Sequence, residues 1–160
     1  MDRYDKIIHH EAFGKYLEQI GELEQERIYC RHNLSHLLDV ARIAYIMNLE
    51  EGGSFSKDVI YGAALLHDIG KVEQYKEKIP HEKTGAEKSV DILIECGYDA
   101  IEIEIIKTAI LDHRRGPKEE GRRLSELLYE ADKKSRICLF CQAREDCNWT
   151  EDKKNSRIYY

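Results

Sequence analysis

Seven histidines stand in this sequence of 160 residues: His9, His10, His32, His36, His67, His81 and His113. Several of them, and two aspartates, follow hydrophobic approaches. His67 and Asp68 close the run Ala63-Ala64-Leu65-Leu66, His36 lies beside an apolar stripe, His81 follows Pro80, His113 ends a long apolar segment, and Asp132 follows Ala131. Neutral imidazole and carboxylate together make a mixed N/O shell for borderline divalent metals. An unpaired buried charge is unfavourable by on the order of several kcal/mol, so Asp68 and Asp132 call for a compensating cation or an Arg or Lys partner. Taken singly, each residue has a plainer account: His67 suits a helix C-terminus, and Asp68 can pair with Lys71. As a set the plain accounts weaken, because facing helices of a bundle can bring such groups into one pocket.

The elements that must position them are helical. Apolar residues recur at helical spacing, glycines punctuate the segments, and there are only two prolines. Helices are expected over 7–20 up to Gly21, 34–49 up to Gly52-Gly53, and 56–67 with Ser56 as N-cap and Gly70 as stop. Others are expected over 82–96 up to Gly97, over 99–113 before Gly116-Pro117, and through "RRLSELLYEADKKSRI", which begins at Arg122. The stretch "AIEIEI" alternates like a strand, but Ile106, Ile110 and His113 fall at i, i+4 and i+7 and keep it helical. The fold class is all-α: a single-domain bundle of about six helices over 1–137, followed by an irregular cysteine-containing extension, 138–160, packed on the same domain.

Composition narrows the function classes. A formal charge of -6 and a pI near 5.7 argue against a nucleic-acid polymer as partner. No run approaches the ~20 apolar residues of a membrane span, and the N-terminus lacks the pattern of a signal peptide, so a soluble, cytoplasmic protein without a membrane partner is expected. Five cysteines do not suggest a disulfide framework. Oligomeric state is not legible.

"LLHDIGK" resembles the doublet of the HD-domain superfamily of metal-dependent phosphohydrolases. "SHLLDVARIAYIM" is similar to its upstream helix, with His36 in the first ligand position, and "LLYEADKKSR" is similar to its closing aspartate, which falls on Asp132. The likeness runs from about residue 28 to about residue 137. "IPHEKTGAEKSVDIL" and "AILDHRRG" resemble the extra histidines of members with two metals, which places His81 and His113 in the site. The resemblance implies one or two divalent transition-metal ions (Fe, Mn, Co, Zn or Ni). With two, Asp68 would bridge, His36, His67 and Asp132 would hold one, and His81 and His113 the other.

The implied reaction is hydrolysis of a nucleotide or related phosphate ester by a metal-bound hydroxide, with Asp68 and Lys71 as catalytic residues. Lys71, Arg114, Lys133 and Arg136 are the candidates for binding phosphoryl oxygens, Lys71 and Lys133 ahead of the arginines. For Lys133 and Arg136 the plainer expectation is a solvated helix face paired with nearby acids. His32 is read as lying behind the ligands or on the surface, and His9 and His10 as surface residues. Gly70 is expected to let Lys71 and the backbone approach a phosphate. Two other classes stay open: a di-iron oxygenase of the same fold and a non-catalytic metal-bound sensor or binding module.

The C-terminal stretch "RICLFCQAREDCNW" departs from the family pattern. Cys138, Cys141 and Cys147 have spacing for a further zinc or iron–sulfur site, with Cys30 as a distant fourth ligand. The alternative is reduced cysteines packed near Phe140 and Trp149.

Overall fold

The computed structural model describes residues 1–115 and 123–160. Gly116, Pro117 and Arg122, assigned above to a helix end and a helix start, lie outside the described residues. Among the described residues the chain forms eight helices and no strand: α1 (Arg3–Ile8), α2 (Glu11–Leu23), α3 (Leu34–Glu50), α4 (Lys57–Leu66), α5 (Lys71–Glu77), α6 (His81–Cys96), α7 (Ala100–Asp112) and α8 (Leu124–Lys134).

Helix α4 is buried on nearly every side, from Val59 to Leu66 apart from Tyr61, which marks it as the centre of the bundle. It packs against α3 and α7, with α8 closing on both of those helices; α6 lies along α7, α1 covers α4 and α6, and α2 packs on α5. Leu37, Val40, Ala41, Ala44 and Met47 of α3 meet Ile60, Ala63 and Ala64 of α4 in one continuous core with Ile106, Ile110, Leu127 and Leu128. No helix of the described residues is long and apolar enough to cross a membrane.

The helix starts follow local chemistry. Asn33, Ser56 and Asp99 accept hydrogen bonds from the backbone N–H of His36, Val59 and Glu102, at 3.0, 3.3 and 2.9 Å. Asp99 and Glu102 form a capping box, so "AIEIEI" is the start of a helix. Gly97 ends α6 with φ of 89°, in the region where a side chain is disfavoured.

Four expectations are corrected. The N-terminal helix is two helices, because His10 leaves the helical path and its ring accepts from Ala12 N–H at 3.2 Å, starting α2 afresh. Gly21 does not stop α2, which runs to Leu23 with a hydrophobic face turned inward. Gly70 is not a left-handed stop: its φ is -74°, and it heads α5, a helix the periodicity did not reveal in a segment of only 7 residues. Nor is its missing side chain room for a phosphate. A Cβ there would lie 2.1 Å from the His81 carbonyl oxygen and 2.6 Å from Gly85 N, so the space belongs to the first turn of α6.

Candidate metal centre

Five elements deliver the ligand-type residues to one point. His36 comes from the first turn of α3, His67 and Asp68 from the turn after α4, His81 from the first residue of α6, His113 from the C-cap of α7, and Asp132 from the last turn of α8. The four histidines and Asp68 are buried, none more than 7% exposed. Asp68 stands in the middle: its Oδ2 lies 3.1 Å from His67 Nε2 and 3.6 Å from His36 Nε2, while its Oδ1 lies 3.3 Å from His81 Nε2. Asp132 Oδ1 is 3.2 Å from His36 Nε2. Two groups of donors could each hold a metal ion, His36 with His67 and Asp132, and Asp68 with His81 and His113; within each, the ligand atoms lie within 4.8 Å of one another. All six ligand-type residues read from the sequence are therefore brought together.

The hydrogen bonds behind the rings orient them. His67 Nδ1 lies 2.7 Å from the Ala64 carbonyl and His113 Nδ1 lies 2.6 Å from the Ile110 carbonyl, while His81 Nδ1 meets Gln74 Oε1. A carbonyl oxygen only accepts, so each Nδ1 carries the proton and each Nε2 presents its lone pair inward. His36 follows the same rule. The Ser135 hydroxyl donates to the Asp132 carbonyl at 2.7 Å, which leaves its oxygen to accept from His36 Nδ1 at 3.2 Å.

The fit of a metal can be judged from what these lone pairs meet. His81 Nε2 and His113 Nε2 face each other at 3.1 Å. Two neutral acceptors at that distance repel unless a proton or a metal cation lies between them. His67 Nε2 is buried and makes no well-aligned hydrogen bond among the described residues, although Asp68 Oδ2 lies 3.1 Å away. On His36 Nε2, the Arg136 guanidinium donates at 3.0 Å, occupying with a cation the position a metal would take. The donor set thus fits divalent transition metals in type and orientation.

Electrostatics agree with a cation-seeking site. Burial alone would raise the Asp68 carboxyl, but His67, His36 and Lys71 hold it well below the usual carboxylate range. Asp132 is likewise held low, burial being overcome by His36, Lys133 and His67. Burial disfavours a charged His67, yet Asp68 overrides it and raises the ring. His81 is pushed down to about 2 and His113 to about 4, chiefly by burial, so both are neutral donors at ordinary pH.

The cationic candidates divide by depth. Lys71 Nζ is 3.8 Å from Asp68 Oδ1, and burial lowers its pKa against the pull of Asp68 and Asp132. Arg136 is nearly as deep, touching both His36 and Asp132, and its Nη1 holds the Arg31 carbonyl at 3.0 Å. Lys133 pairs with Asp132 at 2.7 Å and Arg114 with Glu82 at 3.6 Å, both with exposed side chains.

One histidine was underrated by sequence reasoning. His32 is buried, its Nδ1 bonded to Glu24, with Nε2 4.0 Å from Asp68 Oδ2. Glu24 also accepts from His32 N–H at 2.8 Å and from the Tyr75 hydroxyl. Nothing in "GELEQER" distinguishes Glu24 from the glutamates around it. Only the approach of α5 to the end of α2 does so.

The model of the HD domain matches residues 33–143, more than half of the chain. The chain belongs to the HD-domain family. An uncharacterized protein of Clostridium beijerinckii is 46% identical over 160 residues, covering 100% of both chains. Ribonuclease Y of Rubrobacter xylanophilus is 27% identical over 116 residues, 68% of this chain and 22% of that protein. Ribonuclease Y of Nitratiruptor sp. is 37% identical over 84 residues, 49% of this chain and 16% of that one. This HD chain thus spans less than a quarter of the ribonucleases that it matches. The crystal structure of a protein described as a predicted HD superfamily hydrolase, from an uncultured Thermotogales bacterium, shares the fold with a TM-score of 0.65 at 23% identity, over 91% of this chain and 80% of that one.

Proposed function

We propose that this HD-domain protein is a phosphohydrolase of small phosphate esters, nucleotides foremost, working with two divalent transition-metal ions that Asp68 would help to hold. His36, His67 and Asp132 would hold one ion, and His81 and His113 the other. The observation that carries the substrate class is the charge of the cavity in front of Asp68, about 480 Å³ in volume. Arg27, Lys71, Arg114, Lys133, Arg136, Arg144 and Lys154 line it against two carboxylates, Asp68 and Asp132, although the chain as a whole is acidic. Such a local reversal of sign concentrates anions at the site.

Divalent cations held there would supply Lewis acidity and bring the pKa of a coordinated water from 15.7 toward ~7. The protein's own groups do the rest. Lys71, fixed beside Asp68, neutralises charge that grows on the phosphoryl oxygens in the transition state. Arg136, on His36 Nε2 and beside Asp132 in the same cavity, would offer its fork to a phosphate, a geometry guanidinium suits. Arg114 and Lys133 act at the mouth, where exposed charge raises encounter rates more than affinity. Tyr29 and Trp149 line the same cavity and offer flat faces to a base.

The test is product release from nucleotides, simple phosphomonoesters and a short RNA oligonucleotide, with Mn, Co, Fe(II) or Mg, under anaerobic conditions, with Asp68→Ala as blank. Metal-dependent hydrolysis of a small ester, lost in the blank, is expected. Cleavage confined to the RNA oligonucleotide, or turnover that requires O₂, would replace this reading.

A further inference from the structure

We infer that Cys30, Cys138, Cys141 and Cys147 hold an iron–sulfur cluster in the wall of the cavity that also contains the His/Asp centre. All five cysteines are reduced. The fifth, Cys96, is sealed in the core on α6, while the other four line that one cavity, although Cys30 is more than 100 residues from the rest in sequence. Cys30 is exposed as a residue, but its thiol feels those of Cys141, Cys138 and Cys147.

The two loops that carry them are joined by one hydrogen bond to a backbone oxygen, and each is folded on itself by others of the same kind. The Tyr29 hydroxyl donates to the Asp146 carbonyl at 3.2 Å, Arg27 Nε to the Cys30 carbonyl at 2.9 Å, and Arg144 Nη1 to the Cys138 carbonyl at 3.1 Å. Cys141 N–H turns back to the Cys138 carbonyl at 3.5 Å, and Arg144 N–H to the Cys141 carbonyl at 3.2 Å. Apolar burial does not hold this tail. From residue 138 onward only Cys138, Ala143 and Asn155 are buried; Phe140, one of the two aromatic residues named above, is 95% exposed, whereas Trp149 lines the same cavity as the cysteines. A segment without regular structure or a core needs another staple, and metal ligation is the usual one in a reduced chain.

Charge and spacing indicate the cofactor. Four thiolates need cations close by, and Arg27, Arg136, Arg144 and Lys154 line the same cavity as the sulfurs, Arg144 and Lys154 also pairing with Glu151. A tetrahedral zinc site with bonds of about 2.3 Å draws its sulfurs to about 3.8 Å from one another. Among the described residues the groups of three donors within 4.8 Å of one another are those of the His/Asp centre, so no three of these sulfurs stand as close as a closed zinc site requires, whereas a polynuclear cluster spreads its thiolates over several irons. Each thiol gives up one proton to solvent on ligation, and the assembled cluster enters whole, without a redox change in the protein.

The experiment uses the full chain, produced and purified without oxygen, and reads iron, acid-labile sulfide, visible absorption and alkylation of each cysteine. We expect about two to four sulfides per chain, as in clusters held by a quartet of thiolates. Sulfide should fall to background in Cys138→Ser and Cys147→Ser and stay unchanged in Cys96→Ser. Cys30 should alkylate at least about tenfold more slowly than after the cluster is stripped with a chelator and the thiols are reduced again. Absence of sulfide in the unmodified protein, with Cys30 reacting as a free thiol, would overturn the inference, as would one zinc per chain without sulfide. The alkylation arm needs no variant and stands if the serine variants fail to fold. Asp68→Ala removes ligands of the His/Asp centre only, so retained sulfide in that variant separates this site from the phosphohydrolase reading.

Discussion

Four imidazoles turn the same ring nitrogen inward because each has a backbone or side-chain oxygen at Nδ1. The types and order of these residues were legible in sequence; their orienting partners, Ser135 and Gln74, were not, because neither lies in a recognisable pattern and each acts through one hydrogen bond. Ser135→Ala frees the His36 ring and is expected to weaken metal binding by about 10–100-fold, with the helical circular dichroism unchanged, in metal titrations of the apoprotein. Unaltered affinity would show that the ring keeps its orientation without Ser135. Glu24 supplies a pH prediction. Burial works to raise its carboxyl, but the bonds from His32 and Tyr75 prevail and hold it down at about 2 against an ordinary 4.5. A folded value below the unfolded one gives stability that is complete above pH 4.5 and lost as pH falls toward 2. Urea melts across that window should show a steep acid limb, flattened in Glu24→Gln; equal slopes in both proteins would assign the limb elsewhere.

At the scale of elements, the centre depends on how closely α5 and α6 meet. Gly70 carries no side chain where a Cβ would strike backbone atoms of His81 and Gly85, which have no way to yield. Gly70→Ala should therefore cost about 3 kcal/mol and displace His81, lowering metal stoichiometry as well as the urea midpoint. Gly62 is a control of the same chemistry. Its Cβ would meet Ile106 Cδ1 and the Tyr98 hydroxyl at 3.1 Å, side-chain atoms that can shift, so Gly62→Ala should cost about 1 kcal/mol and leave metal binding intact. Equal losses in the two variants would contradict the backbone clash. Helix α5 itself shows why the sequence reading fell short here. Its 7 residues offer too few turns for a period, and it forms because Val72 is buried and its ends are fixed by the turn before it and by α6 after it.

For the molecule as a whole, five separate segments converge on Asp68, so a bound metal ties α3, α4, α6, α7 and α8 together. At a metal concentration 100-fold above its dissociation constant, the folded state gains about 2.7 kcal/mol. For a chain of this size that is about 5–10 °C in thermal midpoint. Addition of Mn or Fe(II) to chelated protein should raise the midpoint by that amount, and Asp68→Ala should abolish the shift; an equal shift in the variant would place the binding elsewhere. The sequence by itself determined the helical class, most helix ends, and the ordered set His36, His67, Asp68, His81, His113 and Asp132, since periodicity, caps and ligand chemistry are local or carried by residue type. Only the tertiary structure decided that His32 and Glu24 stand behind Asp68, that Arg136 lies on His36, that Gly70 makes room for a helix, and that Cys30 shares a cavity with the C-terminal cysteines. Each of these depends on the approach of two distant backbones, which is set by the packing of the whole core and leaves no mark at the residues concerned.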